Sequence, residues 1–106
     1  MPTQPLELLA PAKNADIGIE AILHGADAVY IGGPDFGARE EAGNAFDDIR
    51  RLCEFAHGFN ARVYMTLNTL VSDAEMGRAV QIAWQAYESG VDALIVQDMG
   101  LLQEKL

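Results

Sequence analysis

The sequence predicts an α/β fold, a parallel βα repeat of four βα units. Two observations predict it. One phrase is written twice, as Gly25-Ala26-Asp27-Ala28-Val29-Tyr30-Ile31-Gly32-Gly33 and as Gly90-Val91-Asp92-Ala93-Leu94-Ile95-Val96-Gln97-Asp98. Each copy follows an amphipathic stretch and supplies a glycine to end a helix, an aspartate in the turn and an apolar strand, the helix-to-strand joint of parallel α/β folds. Strand-like and helix-like segments also alternate strictly, at about thirty residues per unit, which implies right-handed crossovers.

The first unit opens on Leu6-Glu7-Leu8-Leu9-Ala10, a short apolar strand closed by Pro11. Asn14 caps the helix that follows, with Ile17, Ala21 and His24 expected on one stripe and Ile19, Ile22 and Leu23 beside it. Gly25 ends it, and Ala28 to Ile31 form the second strand. A glycine-rich loop then runs from Gly32 to Gly43. At about twelve residues it exceeds the two to six usual for a βα connection.

Asp47 and Asp48 open the next helix, where carboxylates suit the positive end of the dipole. Ile49, Leu52, Cys53 and Ala56 follow the spacing of a buried stripe, and Gly58 closes the helix. Arg62 to Asn68 are the third strand. Ser72-Asp73-Ala74-Glu75 reads as a capping box, with Met76, Val80, Ala83, Trp84 and Tyr87 expected on the buried face behind it. Gly90 stops that helix, Ala93 to Val96 are the fourth strand, and Met99 to Leu106 read as the start of another helix.

With 106 residues and no linker or low-complexity tract, residues 1–106 are expected to form a single domain. The net charge of −9 disfavours passive binding to nucleic acid or anionic membranes. No apolar run approaches the roughly 20 residues of a membrane span. One cysteine permits no internal disulfide. These features favour a cytoplasmic protein. Four parallel strands leave two architectures open. One is a sheet covered on both sides. The other is half of an eight-stranded barrel, which needs about 250 residues. The apolar stripe of Leu101, Leu102 and Leu106 lacks a cap and suggests a fragment. Self-association is expected through an exposed sheet edge, or through a missing carboxyl-terminal half.

Several stretches together resemble one family. They are Glu7-Leu8-Leu9-Ala10-Pro11-Ala12, the phrase from Gly25 to Gly33, Phe36-Gly37-Ala38-Arg39, Val63-Tyr64-Met65-Thr66-Leu67-Asn68-Thr69-Leu70, and Asp92-Ala93-Leu94-Ile95-Val96-Gln97-Asp98. In this order they resemble the amino-terminal part of the collagenase-like peptidases of peptidase family U32. The resemblance implies half of a TIM-type barrel, with the substrate cleft at the strand carboxyl ends. It implies either of two activities: peptide hydrolysis, or hydroxylation of RNA bases or of a quinone precursor with an iron–sulfur cluster in the full-length protein. A cluster needs about four thiolates. With Cys53 alone, the fragment is expected to hold no cofactor.

Candidate residues divide by the end of the sheet they occupy. Cys53 and His57 stand at i, i+4, but Cys53 lies on the apolar stripe and reads as a core thiol. His24 and His57 close helices, and Asp27 and Asp92 sit in turns that enter strands. All four belong to the bottom of the fold and read as structural. No metal-ligand spacing occurs.

The strand carboxyl ends deliver Lys13, then Gly32, Gly33 and Arg39, then Asn68, then Gln97 and Asp98. Asp98 as base and Arg39 as an anion clamp are the candidate catalytic residues. Asn68, Gln97, Gly32, Gly33 and Lys13 are candidates for substrate binding. The plainer alternatives are that Asn68 and Asp98 cap helices and that Arg39 pairs with Glu40 or Glu41. Trp84, Tyr87 and Met76 read as helix packing rather than a stacking platform. Two further functions compete. One is a non-enzymatic α/β scaffold or binding module. The other is an aldolase-type barrel with Lys13 as a Schiff-base amine.

Overall fold

The computed structural model describes residues 7–34, 44–69 and 73–98, with the side chains at 68, 69, 73–76, 97 and 98 left out of that description. Seven elements alternate: β1 (Leu9–Ala12), α1 (Ala15–Leu23), β2 (Ala28–Gly32), α2 (Phe46–Gly58), β3 (Arg62–Thr69), α3 (Asp73–Ser89) and β4 (Ala93–Asp98). The strands form one sheet in the order β1-β2-β3-β4, every pairing parallel. The expected α/β repeat is thus observed.

β1 begins and ends later than its apolar run suggests. It runs through Pro11, which stands opposite Tyr30. Among the described residues β1 pairs with β2 alone, and Pro11 breaks no bond of that ladder.

α2 packs against α1 on one flank and α3 on the other, so the three helices share one face of the sheet. That face is dry. Val29, Ile31, Val63, Met65 and Leu67 are buried and meet Ile22, Ile49, Leu52, Cys53, Ala56, Ile82 and Ala86 from the helices. The intervening strand residues Tyr30, Tyr64 and Thr66 are only half-buried. Among the described residues nothing covers their face. A sheet with helices on one side and strands in sequence order is a barrel segment, not a doubly wound sheet.

The joint seen twice in the sequence occurs three times in the structure. Gly25 and Gly90 both have φ +105°, and Asn60 has φ 60°. Each is followed by a residue whose N–H reaches back five positions to an alanine carbonyl: Ala26 to Ala21, Ala61 to Ala56 and Val91 to Ala86. This is the Schellman closure, with the left-handed residue supplied by Gly or Asn. α2 ends at Gly58, as expected, but the left-handed position is taken by Asn60, two residues later.

Two helix faces differ from expectation. In α1 the buried residues are Ala15, Gly18 and Ile22, while Ile17, Leu23 and His24 are exposed. Small residues take the contact because α1 lies close to α2; a Cβ on Gly18 would stand 2.9 Å from Leu52 Cδ1. In α3 the buried residues are Ile82, Ala86 and Ser89, whereas Val80, Trp84 and Tyr87 are 51%, 63% and 73% exposed. Trp84 and Tyr87 meet edge to face at 6.0 Å and line a shallow apolar depression with Val80 and Ala83. The Met76 side chain and the capping box at Ser72 lie outside the described residues.

Candidate functional site

The two ends of the sheet differ in chemistry. At the lower end, each aspartate of the repeated phrase clasps the strand before it. Asp27 N–H donates to the Leu8 carbonyl at 2.9 Å, and Leu8 N–H donates back to Asp27 Oδ2 at 2.9 Å. Asp92 N–H donates to the Val63 carbonyl at 2.8 Å, and Val63 N–H donates back to Asp92 Oδ2 at 2.8 Å. His57 Nε2 donates to the same Asp92 oxygen at 2.9 Å. His24 Nδ1 donates to the Glu20 carbonyl at 2.8 Å, within the last turn of its own helix.

Cys53 sits just inside this end, 1% exposed. Burial pushes its thiol up to about 12, with the charges of Asp92 and Glu54 adding to the effect. A thiol held protonated is a poor nucleophile. Arg62 occupies the place that Asp27 and Asp92 hold in the other joints. A hydrogen bond with Tyr64 raises its pKa further above the ordinary guanidinium value.

Four of the seven candidate residues, Gly32, Asn68, Gln97 and Asp98, lie on strands at the upper end, and Lys13 and Gly33 directly follow β1 and β2. Lys13 is exposed directly after β1, and Gly32 ends β2. Gly33 N–H donates to the Thr66 carbonyl at 2.9 Å, extending the β2–β3 ladder past the strand. The space where a Gly33 Cβ would stand is occupied by Met65, with Cε at 2.7 Å and Sδ at 2.8 Å. A side chain at this position would require the end of the Met65 side chain to move aside.

Asn68 stands opposite Gln97, and Thr69 opposite Asp98, in the register of β3 and β4. All four positions lie in the last two residues of their strands. Arg39 lies outside the described residues.

A residue missed in the sequence joins this rim. Asn44 Nδ2 donates to the Gly32 carbonyl at 2.9 Å and to the Lys13 carbonyl at 3.2 Å. One carboxamide thus ties the ends of β1 and β2. The residue stands beside the start of α2 and invites a reading as its cap, yet the N-cap is Ala45, with no side-chain bond. The only sequence signal was a short polar residue at a loop-to-helix boundary, and its partners are 12 and 31 residues away.

The rim can present backbone and carboxamide groups to a substrate and hold them in fixed register. Among the described residues, no group of three or more His, Cys, Asp or Glu could hold a metal ion. Also among them, no helix is long and apolar enough to cross a membrane.

Known proteins share this pattern. A 23S rRNA 5-hydroxycytidine synthase of Escherichia coli (strain K12) is 57% identical over 98 residues, 92% of this chain and 15% of that protein. A tRNA hydroxylation protein, P1 of Bacillus subtilis (strain 168), is 35% identical over 91% of the chain and 23% of its own length. An uncharacterized protease of Methanocaldococcus jannaschii is also 35% identical, over 92% of the chain and 24% of its length. The chain therefore spans between about a seventh and a quarter of these relatives. The model of peptidase family U32 matches residues 13–104, and the chain belongs to that family.

Proposed function

We propose that this chain is the amino-terminal barrel segment of an enzyme that hydroxylates an RNA base, and that its upper rim binds and orients the substrate. The observation that carries the reading is the 57% identity with the rRNA hydroxycytidine synthase, well above the 35% shared with the protease. The tRNA hydroxylation protein supports the same class of substrate. Cys53 is buried, and burial pushes its thiol up to about 12, which fits a residue of the core rather than of the site.

The residues present do not fit an iron–sulfur cluster, which needs about four thiolates. The work assigned to this segment is therefore recognition. Asn68 and Gln97, neighbours across β3 and β4, are residue types that both donate and accept, as a base edge requires. Lys13 is the nearby cation for a phosphate. Asp98 and Arg39 remain the candidates for proton transfer and anion binding.

The test replaces the matching segment of the E. coli synthase with this chain. Mass spectrometry then reads 5-hydroxycytidine in 23S rRNA from a strain lacking its own enzyme. The reading expects the modification to be restored. A soluble chimera that leaves the cytidine unmodified overturns it, and gelatin cleavage by that chimera favours the peptidase.

A further inference from the structure

A cleft of about 670 Å³ opens between the start of α2 and the flank of α3, outside the rim. Pro34 and Phe46 wall one side and Ile82 forms part of the floor, while Arg78, Gln81 and Gln85 come from α3. The volume is that of a nucleotide-sized ligand site. Spacings of three and four residues put Arg78, Gln81 and Gln85 on one helix face. In a chain with 16 acidic and 7 basic residues, the described lining holds one cation, two carboxamides and no carboxylate.

We propose that this cleft binds one unpaired nucleotide of the RNA substrate. The base lies against the Phe46 ring, its edge bonds to the carboxamides of Gln81 and Gln85, and its phosphate meets Arg78. The chemistry is that of single-stranded RNA recognition: an aromatic face, amide groups that match donors and acceptors on the base, and a guanidinium for the anion. The cleft lies on the helix side of the sheet, so its nucleotide flanks the reacting one rather than replacing it. The proposal rests on the RNA-hydroxylation reading.

The test titrates cytidine 5′-monophosphate, cytidine and inorganic phosphate separately into the isotope-labelled 106-residue chain, followed by backbone amide shifts. Cytidine 5′-monophosphate is expected to shift the amides of Phe46, Gln81 and Gln85 and to bind more tightly than either part alone. Gln81, Gln85 and Arg78 are exposed, so their replacement spares the core, and the unshifted remainder of the spectrum reports the fold. Gln81→Ala with Gln85→Ala should weaken binding about tenfold, the effect of losing two ordinary hydrogen bonds. Arg78→Ala should erase the preference for cytidine 5′-monophosphate over cytidine. Absence of shifts in the cleft at about 10 mM nucleotide overturns the proposal. So does phosphate binding as tightly as the nucleotide, or indifference to the glutamine variants. Restored hydroxycytidine in the chimera alongside an empty cleft sinks the cleft alone. Nucleotide binding in the cleft alongside an unmodified rRNA sinks the hydroxylation reading alone.

Discussion

Asp92 and Asp27 hold equivalent places in two joints, yet their loss should cost different amounts. In Asp92→Ala the Val63 N–H, partly buried and bonded at 2.8 Å, loses its acceptor. A buried donor left unpaired costs about 1–3 kcal/mol. The His57 contact at 2.9 Å goes with it, but His57 is 44% exposed, and water recovers most of that bond. The expected total is about 2 kcal/mol, near the middle of the range for a buried donor. In Asp27→Ala the orphaned donor is Leu8 N–H, which is exposed. Water replaces the carboxylate there, and the cost falls to about 0.5 kcal/mol, the low end for an ordinary bond. Asp92→Asn keeps an acceptor and should lie between them. Urea unfolding followed by circular dichroism measures the difference. At about 1.5 kcal/mol/M, Asp92→Ala shifts the midpoint by roughly 1 M and Asp27→Ala by a third of that or less. A midpoint shift for Asp27→Ala equal to or larger than that for Asp92→Ala refutes the reasoning, because burial of the donor would then not set the cost.

Gly33→Ala drives a Cβ to within 2.7–2.8 Å of the buried Met65 side chain. It should destabilise by about 1–3 kcal/mol, and the shorter Met65→Ala in the same chain should relieve part of that in a double-mutant cycle of unfolding midpoints. Trp84→Ala should cost under about 0.5 kcal/mol, as for a surface site and not the 3–5 kcal/mol of a core tryptophan; acrylamide should quench Trp84 emission freely in the native protein. Cys53 should resist thiol reagents at pH 8 until the chain unfolds. Its raised thiol also fixes a sign. From about pH 8.5 upward the unfolded chain loses this proton while the folded chain keeps it, so stability falls as pH rises towards 12. Unfolding midpoints of Cys53→Ala should decline less steeply over that window than those of the parent, and parallel declines would contradict the assignment.

The strands and two of the three joints were legible in the sequence because each is a local property. An apolar run and a glycine at φ +105° need no knowledge of neighbours. The third joint was hidden because Asn60 does the work of glycine and Arg62 stands in place of aspartate. The α3 face was misread for a different reason. Val80, Trp84 and Tyr87 form one apolar stripe and Ile82 and Ala86 another; hydrophobicity cannot say which one meets the sheet, since the crossover geometry decides it. The same holds for α1, apolar on most sides, where closeness to α2 selects Ala15 and Gly18 over the larger isoleucine. At the rim, Gly32, Gly33, Asn68 and Gln97 followed from knowing where strands end. Asn44 did not, because its role exists only once β1 and β2 have been brought side by side.

The sheet order β1-β2-β3-β4 has a consequence for how the chain comes into being. Every strand pairs with the one synthesised just before it, and every helix is closed by a device within its own carboxyl-terminal turn. As the chain leaves the ribosome, β2, β3 and β4 each meet a template already laid down in the strand before. Assembly can proceed at the pace of translation, one unit at a time, with the growing edge always the youngest.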